Sequence, residues 1–168
     1  DAAAQAEAVA IMEGLEELRP PASRPITDPA LNGRWDFVFD TEGDLGTGLI
    51  KGLLESPSPV VQPVFDLKDV RMEVAGSETI RIVVATQALG RPCDLVLTTS
   101  FRPDASDPEG TMAWERFEGI TLAGAELPVP DAWKRERPLE ISYLDDDMLI
   151  ARGNGGEPHV LLRDQGSP

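Results

Sequence analysis

Cysteine and histidine occur once each in this 168-residue chain, as Cys93 and His159. An internal disulfide is therefore excluded, and so is a zinc site of the usual composition, which gathers several thiolates or imidazoles. Aromatic residues are few, at 5%, and Lys and Arg number 15 against 30 Asp and Glu. The formal charge of −15 repels phosphate backbones and anionic lipid surfaces. Nucleic acid is thus not expected as a partner, and membrane contact would have to rest on apolar surface or on another protein. Long hydrophobic runs are also missing: the longest, such as residues 82–85, are strand-sized and far short of the roughly 18 residues of a membrane-spanning helix. Asp1 opens an Ala-rich acidic segment with neither a basic start nor a hydrophobic signal core, so a processed or trimmed product is expected.

What remains is an ordinary globular composition, 41% hydrophobic and 27% charged, in a chain of one domain's length. Val9, Ile11, Met12, Leu15 and Leu18 recur at helical spacing among good helix formers, which predicts a helix over residues 1–19. Pro20 and Pro21 end it, because proline lacks a backbone donor and disfavours helical geometry in the residue before it. A Pro-rich connector, residues 20–30, leads to the main domain at residues 31–164, with a short tail at 165–168.

In that domain the hydrophobic period changes to two. Trp35, Phe37 and Phe39 alternate with polar neighbours, as in a strand with one buried face. Leu45, Leu49, Ile50, Leu53 and Leu54 share one helical face and predict a short lid or plug helix before the prolines at 57 and 59. From residue 64 onward short strands follow one another with turn signals between them and almost no helical pattern, which favours sequential antiparallel pairing. The expected architecture is mainly β: an up-and-down barrel of about eight strands, a number that either fills with side chains or encloses one small ligand.

Two segments carry a family resemblance. Leu31-Asn32-Gly33-Arg34-Trp35 with Phe37-Val38-Phe39-Asp40-Thr41 resembles the amino-terminal signature of the plastid lipid-associated proteins, or fibrillins. Ile141-Ser142-Tyr143-Leu144-Asp145-Asp146-Asp147, Ile150-Ala151-Arg152-Gly153 and Val160-Leu161-Leu162-Arg163 resemble its carboxy-terminal one. The resemblance implies a lipocalin-like fold, a chloroplast location peripheral to thylakoids or plastoglobules, and binding of lipids or small hydrophobic molecules such as quinones and carotenoids. The connector at residues 24–29 and the strand end at 39–42 depart from the family's usual Asn-Pro-Thr-Pro-like and Tyr-Thr-Thr-Ser-like segments.

Gly33-x-Trp35 also matches the short lipocalin motif, for a physical reason. Glycine lets backbones approach where the first strand enters, and a large indole plugs the closed end while donating to a neighbour. Arg152 is the expected cation–π partner of Trp35, with Arg163 the alternate. Alternation along the strands proposes Phe37, Phe39, Met72, Val74, Ile82, Val84, Leu95, Leu97, Met112, Trp114, Ile141 and Tyr143 as the inward wall, lining a ligand cavity or simply filling the core. Trp133, Lys134, Arg135 and Arg137 form a local basic cluster beside an aromatic, a candidate contact with a partner or a lipid interface.

No catalytic site is expected. Cys93 and His159 lack the surrounding base and orienting group of a nucleophilic centre, and no Gly-x-Ser-x-Gly elbow occurs. Gly153-Asn154-Gly155-Gly156 lacks the Lys and Ser or Thr of a phosphate loop, and Asp145-Asp146-Asp147 reads as a solvated hairpin turn rather than a cation site. No cofactor or metal is expected. The leading expectation is a lipid or hydrophobic-ligand binder supporting thylakoid or plastoglobule organisation. The alternative is a non-catalytic assembly subunit on a thylakoid photosynthetic complex.

Overall fold

The computed structural model describes residues 2–18, 24–40, 65–76, 78–88, 90–153, 156 and 158–166. The segment expected to form the lid helix, with the prolines that follow it, lies outside them.

Helix α1 spans Ala2–Glu17, and two 3-10 turns, Pro25–Thr27 and Pro29–Leu31, lead into the sheet. The strands are β1 Gly33–Asp40, β2 Phe65–Ala75, β3 Thr79–Ala88, β4 Arg91–Pro92, β5 Leu95–Pro103, β6 Met112–Leu122, β7 Ala125–Leu127, β8 Arg137–Leu144, β9 Met148–Arg152 and β10 Pro158–Arg163. A third 3-10 turn, Asp131–Trp133, precedes β8. Every pairing is antiparallel, and the order β2-β1-β10-β9-β8-β6-β5-β3 closes on itself where β3 pairs back to β2. The result is a closed eight-stranded up-and-down barrel, with β4 and β7 as short additions to β3 and β6.

The closed end is built around Trp35, which is fully buried and donates its indole N–H to the Leu31 carbonyl at 3.0 Å. The Arg163 guanidinium lies 4.1 Å over the indole and donates to the carbonyls of Asn32, Ala30 and Asp146. Arg152, the residue expected over Trp35, points outward and instead grips Glu16 of α1 through Nε and Nη2, at 2.9 and 2.8 Å. The reason is parity: Ala151 faces the core, so Arg152 must face the helix. Gly33 sits at φ +135°, and a Cβ there would lie 2.8 Å from Arg163 Nη1. Only glycine lets this strand start and this guanidinium share the space.

Bulges reset the inward face at several points. On β8 Ile141 opposes Ala151 and Tyr143 opposes Ile150, which leaves Ser142 as the extra residue. Leu144 rather than Tyr143 therefore follows Ile141 into the core, and the Tyr143 hydroxyl donates to Asp145 at 2.8 Å. On β6 the inward residues are Ala113, Glu115, Phe117 and, past a bulge at Glu118, Ile120. Met112 and Trp114, expected inside, thus lie on the outer face, where the Trp114 indole donates to Asp104 at 3.1 Å. On β1 a register shift after Phe37 sets Phe39 opposite Val160; the Phe39 side chain lies outside the described part.

Two carboxylates organise turns. Asp145 accepts the N–H groups of Asp147 and Met148 at 2.9 and 2.7 Å, making the acidic triplet a hairpin turn. Asp107 accepts from the N–H groups of Glu109, Thr111 and Met112 at 2.9, 2.7 and 2.8 Å and from the Thr111 hydroxyl at 3.2 Å. Burial pushes the Asp107 carboxyl up, but these hydrogen bonds outweigh it and hold it below its ordinary value of 3.8.

Three outcomes are expected. Trp35→Ala should destabilise the fold by about 3–5 kcal/mol, and Arg163→Lys, which keeps the charge but loses the planar stack and its fork of donors, by about 1–2 kcal/mol, both read from urea unfolding. A carboxyl depressed in the folded state stabilises it fully above the unfolded pKa, and that contribution fades as pH falls through the folded value. Asp107→Asn should therefore be less stable than the parent by about 2 kcal/mol at neutral pH, with the gap closing below about pH 4; a gap that stayed constant down to pH 2 would contradict this account.

Candidate ligand site inside the barrel

The barrel interior divides into two apolar clusters. The first surrounds Trp35 with Met72, Val74, Phe101, Ile141 and Leu161, under the plug residues Ile26 and Leu31. The second holds Val84, Leu95, Leu97, Phe117 and Ile120. Of the residues proposed as inward wall, Phe37, Met72, Val74, Ile82, Val84, Leu95, Leu97 and Ile141 are brought together by these clusters.

The boundary between the clusters is different in kind. Ile82 packs against both, yet it is only half-buried although its neighbours on the same face, Ile80 and Val84, are buried. Phe37, Val70 and Leu139 are likewise inward by register and half-buried. These inward apolar side chains are therefore not fully covered by their neighbours.

At the same level stands a buried ion pair. Glu115 and Arg137 oppose each other across β6 and β8, with side chains 8% and 17% accessible. Arg137 donates from Nε to Glu115 Oε2 at 2.9 Å, and its Nη2 lies 2.8 Å from the same oxygen. Its guanidinium lies 4.2 Å over the Phe117 ring, and Trp133 packs against the same ring at 5.5 Å. Trp133 and Arg137 therefore belong to the barrel, not to an exposed contact patch. Lys134 and Arg135 are exposed, and Lys134 pairs with Asp131 at 2.7 Å.

Beside this pair the β6–β8 ladder stops. β6 pairs with β8 over residues 112–115 and with β7 over residues 120–122, so residues 116–119 run past neither. A groove of about 650 Å³ lies there, lined by Phe117, Ile120, Leu127, Val129 and Lys134 among others. Phe117 and Ile120 line this groove and also belong to the second interior cluster.

Glu115 and Arg137 were not legible as a pair. In a chain with 30 carboxylates a single Glu carries no signal; the available cue was the strict alternation Ala113, Glu115, Phe117 read from the other parity. Among the described residues no group of three His, Cys, Asp or Glu side chains could hold a metal ion. No family model matches the chain, and no curated protein matches it.

Removing one member of a buried pair leaves an uncompensated charge, whereas replacing both with apolar groups of similar shape is close to neutral. Glu115→Ala should therefore destabilise by about 3–5 kcal/mol, and Glu115→Leu combined with Arg137→Met by less than about 1–2 kcal/mol. A urea double-mutant cycle with no coupling between the two positions would contradict the geometry.

Proposed function

We propose that this protein is a non-enzymatic, lipocalin-like carrier of the plastid lipid-associated (fibrillin) kind. It holds one lipid or small hydrophobic molecule, a quinone or a carotenoid, and acts peripherally at thylakoids or plastoglobules in support of their organisation. The observation that carries this reading is the set of inward apolar residues Phe37, Val70, Ile82 and Leu139, which keep accessible surface inside a closed barrel. An apolar ligand gains by removing that surface from water, at about 25 cal/mol per Å² before the entropy of association is set against it.

A second reading, an assembly subunit on a thylakoid complex, has its own observation. Ile11 and Leu18 on α1 are 60% and 77% exposed, and Val38 and Leu162 on the outer barrel wall are 54% and 43% exposed. Among the described residues no helix is long and apolar enough to cross a membrane.

Organic extraction and mass spectrometry of protein purified from its own membrane source should yield one apolar molecule in near-unit ratio. On the recombinant chain, Ile82→Trp should fill the interior and weaken binding of the uncharged dye N-phenyl-1-naphthylamine at least about tenfold while the fold survives. A ligand-free protein that co-purifies with a fixed set of proteins would favour the subunit reading.

A further inference from the structure

Helix α1 has two faces, and the barrel uses only one of them. On the inner face Met12 is buried, and Glu16, one turn on, accepts from Arg152 of β9 and from the Ser142 hydroxyl of β8. The other face is left in solvent. Glu7, Ile11, Gly14 and Leu18 follow one another at spacings of four, three and four residues, so they share one side of the helix, and all four are exposed. Leu18 closes the last turn, with its N–H on the Leu15 carbonyl at 3.0 Å. Glu13 and Glu17, one turn apart, stand exposed in the next row. A Cβ added at Gly14 would meet no atom within 4 Å, so nothing among the described residues overlies this face. Residues 1–18 contain Asp1, Glu7, Glu13, Glu16 and Glu17 but no Lys or Arg. Scattered apolar residues on a surface are ordinary, but Ile11 and Leu18 lie a heptad apart on a helix whose opposite face already serves its own barrel.

We propose that this face docks an amphipathic helix of a partner protein, one whose apolar stripe is flanked by Lys or Arg. The inference rests on the subunit reading and is indifferent to what the barrel holds. Spacings of four and three residues are those of the seam along which two helices pack, with Ile11 and Leu18 as the knobs and Gly14 leaving room for a partner side chain between them. Charge selects the occupant. Cations flanking the partner's stripe meet Glu7, Glu13 and Glu17, and the net charge of −15 steers such a helix toward the chain. A second copy of α1 would set the same carboxylates against one another, and an anionic bilayer repels them. The Glu16–Arg152 ion pair at 2.8 Å holds the helix against the barrel, so the face is presented already folded and the partner does not have to supply its ordering entropy.

The experiment measures, by fluorescence anisotropy, the binding of two fluorescein-labelled peptides to the full chain at neutral pH and about 0.15 M salt. One peptide repeats Lys-Leu-Ala-Ala-Leu-Lys-Lys three times; the other has Glu in place of every Lys, so the two share one apolar stripe. The Lys peptide should bind at least about tenfold tighter. Ile11→Ala with Leu18→Ala, which keeps good helix formers, should weaken it at least about tenfold, whereas Val38→Ala with Leu162→Ala, also exposed but on the barrel wall, should change it less than about twofold. Glu7→Lys with Glu17→Lys should also weaken it at least about tenfold, and the same charge change at the exposed Asp94 and Glu126 should cost less than about twofold. Where circular dichroism finds the alanine variant without its helix, Ile11→Gln with Leu18→Gln takes its place and is held to the same result. Equal binding of the two peptides overturns the inference, as does an Ile11, Leu18 variant that binds as the parent does or a wall or charge control that loses as much. A parent that sediments as a dimer, and as a monomer once Ile11 and Leu18 are replaced, overturns it in favour of a second copy. Failure of the chain to co-purify with a fixed set of proteins from its own source overturns the subunit reading itself, a separate result.

Discussion

The Arg163 guanidinium closes the barrel. It comes from the last strand, stacks on the Trp35 indole of the first, and donates to carbonyls of the entry turns and of the β8–β9 hairpin. Its contacts to Asn32 and Ala30 span 131 and 133 positions, so each of these two closes a loop of nearly the whole domain. A lysine there has no planar face for the indole and no rigid fork for three carbonyls lying in different directions. Gly33 is required by the same constraint, since any side chain would meet the guanidinium. The helix is secondary to this closure: it docks on the finished outer wall, where Glu16 meets Arg152 and Ser142.

With one end shut by an aromatic plug, the packing loosens toward the middle. The first cluster is complete around Trp35, and the inward residues beyond it keep accessible surface until the second cluster begins. The Glu115–Arg137 pair occupies that transition. A buried ion pair is weak evidence for stability, because desolvating two charges offsets most of their attraction. The pair stands on an inner wall that is otherwise mostly apolar, with the buried Thr99 opposite Phe117 as another polar residue there. Phe117 ties the parts together, with the guanidinium over its ring, Trp133 against it, and its edge in the outer groove.

Much of this was legible in the sequence, and the exceptions share a cause. Period-two patterning located the strands, and the lack of helical pattern between them gave the antiparallel meander. Gly33 and Trp35 announced the closed end. Side-chain direction failed where a bulge shifted parity, as at Ser142, which turned Tyr143 out and Leu144 in. It failed on β6 for another reason: Met112 and Trp114 look like core residues, but the packed space beside the plug takes only Ala113, and Glu115 is tolerated inside because Arg137 lies opposite. Arg152 was ranked ahead of Arg163 as the partner of Trp35, and the order is the reverse, since strand parity separates them and parity depends on the register of β9 and β10. A register is a long-range fact, and a single sequence carries it weakly.

The acidic composition takes on a second meaning once the interior is known. Outside, carboxylates crowd one another: burial, and then repulsion from Asp164 and Asp69, push the Asp36 carboxyl up. Inside, the one carboxylate described between the two clusters is neutralised by a guanidinium. A neutral core within a shell of net charge −15 presents an anion with an unfavourable potential on approach and an unfavourable desolvation on entry. An uncharged molecule meets neither of these penalties. The net charge of −15 thus sits in the shell, while the ion pair described on the inner wall is balanced.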